Sequence, residues 1–375
     1  MEFFSVPQGD FALRRYPKYQ SDSLRAWDAA DEYILQYVSG EGKIHKSDRI
    51  LIMNDSSGAL GVALAEFGPQ LLGDSLLSQI ATRENLIVNN IDTDRIVFLE
   101  ALQPPRGSID VVLFKVPKTL SLLEDELCRI RPYLVPGVRI IGAGMTRDIH
   151  NSTLEICERI LGKTKTSPAI KKARIIFCEL DEFISNHQSP YPTHYKLENT
   201  DWILANHANV FSRNRLDNAS RLLIEHIKCS MKDRSIADLC CGNGVLGLVA
   251  AVRNPNAEIL FFDESFMALA STAENIKQII PKQSTCVIGA DGLGETTPNS
   301  LDFVICNPPF HRNKSIDKKV PWRLFKQAHK ALREGGQLLI VGHVSLRHDL
   351  KLRKIFGHCR QLGTRGKFCV LSSEK

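Results

Sequence analysis

The chain has 375 residues, 43% hydrophobic and 24% charged, with a formal net charge of +6 and a mean hydropathy of -0.14. This composition excludes disordered and collagen-like chains, and the length exceeds one typical core, so two globular domains are expected. No apolar run approaches the ~18 residues that span a bilayer, and the opening "MEFFSVPQGDFALRRYPKYQ" lacks the basic and apolar regions of a signal peptide, so a cytoplasmic protein is expected; a monomer is a separate expectation.

The ten cysteines form no C-x-x-C pair and lie mostly in apolar runs, which predicts reduced thiols and no metal site. The mild basicity is compatible with a nucleic-acid partner and equally with an ordinary enzyme.

In chain order, the first strand-turn-helix signal is "ILIMNDSSGALGVALAEF", with Gly58 and Gly61 after an apolar run. "ATRENL", the apolar "DVVLFKVPK" (Asp110 to Lys118) and the basic "KTKTSPAIKKAR" (Lys163 to Arg174) follow. From Ser185 to Thr200 two prolines and several polar residues interrupt the pattern, which predicts a boundary. The second half then repeats the first. "SIADLCCGNGVLGLVAAV" lies over the Gly58 segment, "STAENI" over "ATRENL" and "DFVICNPPF" over "DVVLFKVPK", with offsets drifting only from 186 to 190 to 192. That order and spacing indicate a duplicated domain. Apolar runs alternating with helical stretches such as Phe266 to Ile280 and Pro321 to Arg333 predict parallel strands joined by crossover helices. The final "FGHCRQLGTRGKFCVLSS" predicts an antiparallel hairpin at the sheet edge. The expected organisation is α/β, with domains at 1–185 and 201–375 and a linker at 186–200.

Gly242, Gly244 and Gly247 have the G-x-G-x-x-G spacing of a nucleotide loop, and the same spacing also serves tight strand-to-helix packing. Asp238 would repel a pyrophosphate and suits a cofactor with a cationic amino-acid end; the competing assignment is a helix-capping or turn aspartate. "EILFFDES" ends in Asp263, placed to accept from ribose hydroxyls, a feature that serves NAD and S-adenosylmethionine alike. "STCVIGADGL" ends in Asp291, either an acceptor for an adenine amino group or an ordinary loop residue.

"DFVICNPPFH" discriminates among these ligands. Pro308 and Pro309 fix the backbone and remove two N–H donors. The Asn307 side-chain oxygen and the Pro308 carbonyl can together receive both hydrogens of a planar NH2 group, and Phe310 offers a face to the ring that carries it. His311 beside them is either a proton acceptor or a solvent-facing residue. Arg312, Lys314, Lys318, Lys319, Arg323, Lys326, Lys330 and Arg333 follow, against only Asp317 and Glu334; such a run is often a solvated face, and beside a base pocket it reads better as a phosphate-contacting rim. In the first half Ile52 replaces Asp238, Ser56 replaces Gly242, and Lys115-Val116-Pro117-Lys118 replaces the Asn-Pro-Pro-Phe tetrad. That half has lost the chemistry. Lys115, Lys118, Lys171 and Lys172 make it a candidate RNA-binding platform, the alternative being a structural companion of the second half.

On "DLCCGNGVLG" and "NPPF", the second half resembles the class I S-adenosylmethionine-dependent methyltransferases. Through "AWDAADEYIL", "VPKTLSLLE", "RDIHNSTLE", "NHANVFSRNRLDNASRLLIEHI" and "NPPFH", the whole chain resembles the large-subunit ribosomal RNA guanine-N2 methyltransferase G family and its small-subunit relative, methyltransferase C. The resemblance implies two tandem Rossmann-like methyltransferase domains, the first degenerate. It implies S-adenosylmethionine held by Asp238, Cys240, Gly242, Gly244, Asp263, Glu264, Asp291 and Asn307, with Phe211 and Ser212 closing the pocket. Asn307, Pro308, Pro309 and Phe310 would direct methyl transfer to the exocyclic N2 of a guanine in 23S ribosomal RNA. The alternatives are a guanine of 16S ribosomal RNA and, further off, the side-chain nitrogen of a protein glutamine. A nicotinamide oxidoreductase leaves Asp238 and the tetrad without purpose, and a non-enzymatic RNA-binding module does not account for the complete second-half site.

Overall fold

A computed structural model describes residues 3–18, 24–185, 187–309 and 319–375. The chain divides into two compact units, Met1–Pro190 and Tyr191–Lys375.

In the first unit, strands β1 (Phe3–Val6) and β2 (Gly9–Ala12) precede helix α1 (Ala29–Ser39), β3 (Ile50–Met53), α2 (Ala59–Ala63), β4 (Gln70–Gly73), α3 (Leu76–Val88) and β5 (Val97–Glu100). Then come β6 (Ile109–Lys115), α4 (Leu120–Ile130), β7 (Leu134–Met145), α5 (Asn151–Ile160), β8 (Thr164–Thr166) and β9 (Ala173–Cys178). The second unit begins with β10 (Thr193–Lys196), β11 (Ile203–Asn206), α6 (Asn218–His226), β12 (Ser235–Leu239), α7 (Val245–Arg253), β13 (Glu258–Asp263) and α8 (Phe266–Ile279). It continues with β14 (Thr285–Gly289), β15 (Leu301–Cys306), α9 (Lys319–Ala331), β16 (Leu332–His343), α10 (His348–Phe356), β17 (Arg360–Arg365) and β18 (Phe368–Glu374).

Each unit contains a seven-stranded sheet, ordered β5-β4-β3-β6-β7-β9-β8 and β14-β13-β12-β15-β16-β18-β17. The orders correspond strand for strand, as the repeat predicts. Five strands in each sheet pair in parallel, the sixth pairs antiparallel with the fifth, and the edge strand pairs antiparallel with the sixth. The terminal segment forms the expected edge hairpin, β17 with β18. Segment 186–200, read as a linker, carries β10, which pairs antiparallel with β11. The helix expected to reach Arg333 stops at Ala331, because Leu332 already pairs with Leu301 of β15.

Alternate residues of the central strands feed two apolar layers. In the second unit Ile236, Ile259, Phe261, Phe303 and Ile305 pack with Leu222, Leu223 and Leu248 on one face. Ala237, Leu239, Val304 and Cys306 pack with Leu324, Phe325 and Leu352 on the other. The two-residue side-chain period of a strand produces this division, and burial on both faces makes β3 and β12 read as near-continuous apolar runs. From β12 the chain winds outward through β13 and β14, then crosses back to β15 on the other side. This reversal opens a crevice at the carboxyl ends of β12 and β15, where open parallel sheets bind ligands.

Candidate active site

At the crevice, Leu239 is in register with Cys306, so Cys240 and Asn307 leave the sheet side by side. Cys240 has a left-handed backbone (φ 62), a conformation that costs a non-glycine residue about 1 kcal/mol and marks a chain forced through a tight turn. A hydrogen bond between its thiol and that of Cys306, together with burial, pushes the Cys240 thiol well above its ordinary range.

The three glycines that follow answer different demands. A Cβ on Gly247 would stand 2.3 Å from the Phe261 ring, so this residue lets α7 lie against β13. Gly244 (φ 80) begins α7, and a Cβ there would sit 3.0 Å from Thr272. Gly242 (φ 59) borders open space, with nothing within 4 Å of where its Cβ would stand, so its backbone is the part of the loop that a ligand can approach.

Asp238 is fully buried and accepts the Gly247 N–H at Oδ2 (2.7 Å). The helix-anchoring role that the sequence offered as the competing assignment is therefore real. Its Oδ1 is also buried and has no hydrogen-bond partner among the described residues. Burial, reinforced by the nearby Asp263 and opposed by the Gly247 amide, pushes its carboxyl up to about 8.

Asp263 differs from the expectation of a carboxylate waiting for ribose. Its Oδ2 accepts the Gly242 N–H (2.9 Å), and its Oδ1 accepts those of Glu264 (2.8 Å) and Ser265 (3.0 Å). It ties the loop to the end of β13, and Glu264 follows it half-buried. Asp291 departs further: its carboxylate pairs with Arg323 of α9, while its backbone carbonyl accepts from Gln327 Nε2 (3.1 Å). The guanidinium engages Oδ2, so an adenine amino group would have to be received by the remaining lone pairs of the carboxylate.

Phe211 is exposed, and Ser212 (φ 55) donates to the Arg215 carbonyl (2.7 Å). Their loop rests on a buried polar network that sequence reasoning missed. His207 Nε2 lies 2.9 Å from Glu274 Oε1, and the His207 N–H donates to Ser271 Oγ (3.0 Å). Asn243 donates to Asn206 Oδ1 (2.9 Å), and Asn275 donates to the carbonyls of Asn243 (2.9 Å) and Ala205 (3.1 Å). The repeated "EN" of Glu274-Asn275 was the visible signal of this network.

Asn307 is half-buried, Pro308 buried and Pro309 exposed. Asn307 Nδ2 donates to Ser220 Oγ on α6 (3.0 Å), whereas its Oδ1 is buried and has no partner among the described residues. Phe310, His311, Arg312, Lys314 and Lys318 lie outside the described residues; Lys319 is the first residue of α9. An open approach at Gly242 and buried, unsatisfied oxygens on Asp238 and Asn307 fit a ligand rich in hydrogen-bond donors and positive charge.

Residues 1–182 match the RLMG N-terminal domain and residues 201–372 the Methyltransferase small domain. The chain is 41% identical to the ribosomal RNA large subunit methyltransferase G of Stutzerimonas stutzeri, covering 100% of both chains. It is likewise 41% identical to that of Klebsiella pneumoniae subsp. pneumoniae, covering 97% of this chain and 96% of that protein. The chain belongs to the ribosomal RNA large subunit methyltransferase G family. A T. thermophilus 16S rRNA N2-guanine methyltransferase, solved with AdoMet and guanosine, shares its two-unit fold at a TM-score of 0.76 and 18% identity, covering 100% of this chain and 97% of that one.

In this family member the first unit repeats the loop with one glycine fewer. Gly58 and Gly61 are retained where a Cβ would meet Thr82 (2.8 Å) and Leu71 (2.9 Å), whereas Ser56 replaces the one glycine that borders open space. The carboxylate is kept too, three positions along the chain. Asp55 accepts the N–H groups of Ala59 (2.9 Å) and Gly61 (2.8 Å), the latter being the counterpart of the Gly247 amide that Asp238 holds.

Lys115, expected to contact RNA, instead places its ammonium 2.6 Å from Asp31 and 2.8 Å from Asp28, with its side chain only 13% exposed. Two carboxylates hold it away from solvent, and the RNA assignment is withdrawn. Lys118, Lys171 and Lys172 are exposed, Lys171 beside Glu32 (2.7 Å).

Proposed function

We propose that this chain methylates the exocyclic N2 of a guanine in 23S ribosomal RNA, using S-adenosylmethionine. The observation that carries the reading is the Asn307 oxygen: buried, without a partner among the described residues, and at the strand end beside Cys240, where the glycine loop begins. When bound, the cofactor supplies an electrophilic methyl group.

The chain's own task is the nucleophile. A guanine amine is weakly nucleophilic because its lone pair is delocalised into the ring. Acceptors at Asn307 Oδ1 and the Pro308 carbonyl would orient the NH2 group and stabilise the positive charge that develops on nitrogen. Gly242 and Gly244 would line the cofactor's approach, with Asp238 Oδ1 available to its cationic end and Glu264 to its hydroxyls, while Asp263 holds the loop in place. Extruding the guanine costs a few kcal/mol in a duplex and less in a loop, so contacts beyond the base are needed. The exposed Lys118, Lys171 and Lys172 support RNA binding by the first unit. A ribosomal RNA substrate agrees with a cytoplasmic location.

The test is Asn307→Ala in the full chain. Turnover on 23S RNA should fall by about 10²-fold or more while cofactor affinity stays within a few-fold, because an oriented acceptor is lost and the loop is not. Undiminished turnover overturns the assignment.

A further inference from the structure

An asparagine amide has two ends of nearly the same shape and opposite hydrogen-bonding sense. Asn307 can receive a guanine amine only with its oxygen toward the substrate, so something must set the amide's direction. Among the described residues its hydrogen-bond partner is Ser220, 5% exposed in the first turn of α6, whose Oγ accepts from Asn307 Nδ2 at 3.0 Å. This turn is well fixed. Asp217 caps it by accepting the N–H groups of Ala219 (2.9 Å) and Ser220 (3.0 Å), and Leu222 and Leu223 bury the helix against the sheet.

A serine hydroxyl can donate or accept, so one distance leaves the polarity open. The first unit supplies an independent reading. Lys115 stands where Asn307 stands, at the end of the corresponding strand, and Asp31 stands where Ser220 stands, in the first turn of the corresponding helix, capped by Asp28 as α6 is capped by Asp217. There the sense is unambiguous: Lys115 Nζ is a donor only, Asp31 an acceptor only, 2.6 Å apart. Both halves of the duplication pair a donor at the strand end with an acceptor in the helix turn.

We propose that Ser220 is a positioning residue for methyl transfer: by accepting from Nδ2 it holds the Asn307 amide with Oδ1 toward the substrate, selecting a nucleophile that donates hydrogen bonds. The inference rests on the reading of Asn307 as the amine acceptor. A reversed amide would present NH2 to NH2 and repel the guanine.

The experiment compares Ser220→Ala, Ser220→Thr, Asn307→Ala and Ser220→Ala/Asn307→Ala in the full chain, by single-turnover methylation of 23S RNA with cofactor affinity and thermal midpoint measured alongside. Ser220→Ala should lower the methylation rate by about tenfold, the rate equivalent of one net hydrogen bond, with cofactor affinity and RNA KM within twofold of the unaltered protein. Ser220→Thr, which keeps the hydroxyl, should recover most of that loss. Adding Ser220→Ala to Asn307→Ala should lower the rate no further, because Ser220 acts only through the amide. A full rate in Ser220→Ala, or the same tenfold loss in the Asn307→Ala background, overturns the proposal. Undiminished turnover in Asn307→Ala alone would instead overturn the reading on which it rests.

Discussion

Replacing Lys115 with Asn should destabilise the first unit without touching its RNA affinity. Lys115 and Asp31 are 13% and 8% exposed and 2.6 Å apart, so water screens little of their attraction. Asp28, at 47%, is well solvated and contributes little. Removing one partner of a buried pair usually costs about 3–5 kcal/mol, because the other is left charged and unpaired. Burial holds the Asp31 carboxyl at about 6 even with Lys115 beside it, so at pH 7 the stranded group can escape by taking a proton. The loss should therefore lie near the lower end, roughly 3 kcal/mol. The loss should shrink as the pH falls, since burial raises the Asp31 carboxyl and favours its neutral form.

The double change Lys115→Asn/Asp31→Ser rebuilds the neutral Asn–Ser pair of the second unit. It should recover most of the stability, with a coupling of about 2 kcal/mol. The chain's three tryptophans are Trp27, Trp202 and Trp322, and Trp27 packs on Phe4 beside Asp28. Urea unfolding followed by Trp27 fluorescence in a Trp202→Phe/Trp322→Phe background reports this unit alone. A loss below about 1 kcal/mol at pH 7, with weaker RNA binding of flattened salt dependence, would show that Lys115 contacts phosphate and that the burial argument is wrong.

Glu126 is fully buried, accepts from Asn54 Nδ2 (2.7 Å), and is pushed up to about 8, chiefly by burial. The folded state keeps a proton that the unfolded chain releases above its ordinary value near 4.5, so stability should fall by roughly 1.4 kcal/mol per pH unit from there to pH 8. Glu126→Gln should remove that slope, and parallel curves for the two proteins from pH 5 to 8 would refute the argument. Gly247→Ala should lower the unfolding free energy by about 1–3 kcal/mol through overlap with Phe261. Gly242→Ala should cost about 1 kcal/mol of backbone strain and weaken cofactor binding more than tenfold in calorimetry; equal stability losses would mean the two glycines do the same work. Asp238→Asn keeps an acceptor for the Gly247 amide and loses the charge, so at pH 8.5 the free protein should gain stability while cofactor affinity falls at least tenfold, and unchanged affinity would remove Asp238 from the cofactor site.

Local chemistry writes local structure. The apolar runs, the glycines that allow helix to lie on strand, and the near-constant offsets between halves already implied two sheets of one design, and the Asn-Pro-Pro stretch already marked the strand end where the crevice opens. The helix-anchoring role of Asp238 was one of two the sequence left open, whereas what Asp263, Asp291 and Lys115 do was not legible, because each meets a group well along the chain: Gly242, Arg323 and Asp31. Lys115 meets Asp31 across 84 positions, and Asn307 meets Ser220 across 87. Alignment set Ile52 opposite Asp238 and so concealed that Asp55 holds the equivalent amide, since an N–H can be satisfied by any acceptor that reaches it. Periodicity and turn chemistry act over a few residues and were determined by the sequence alone. Burial, the partner of each charge and the direction of the Asn307 amide arise from packing between distant segments, and only the tertiary structure decided them.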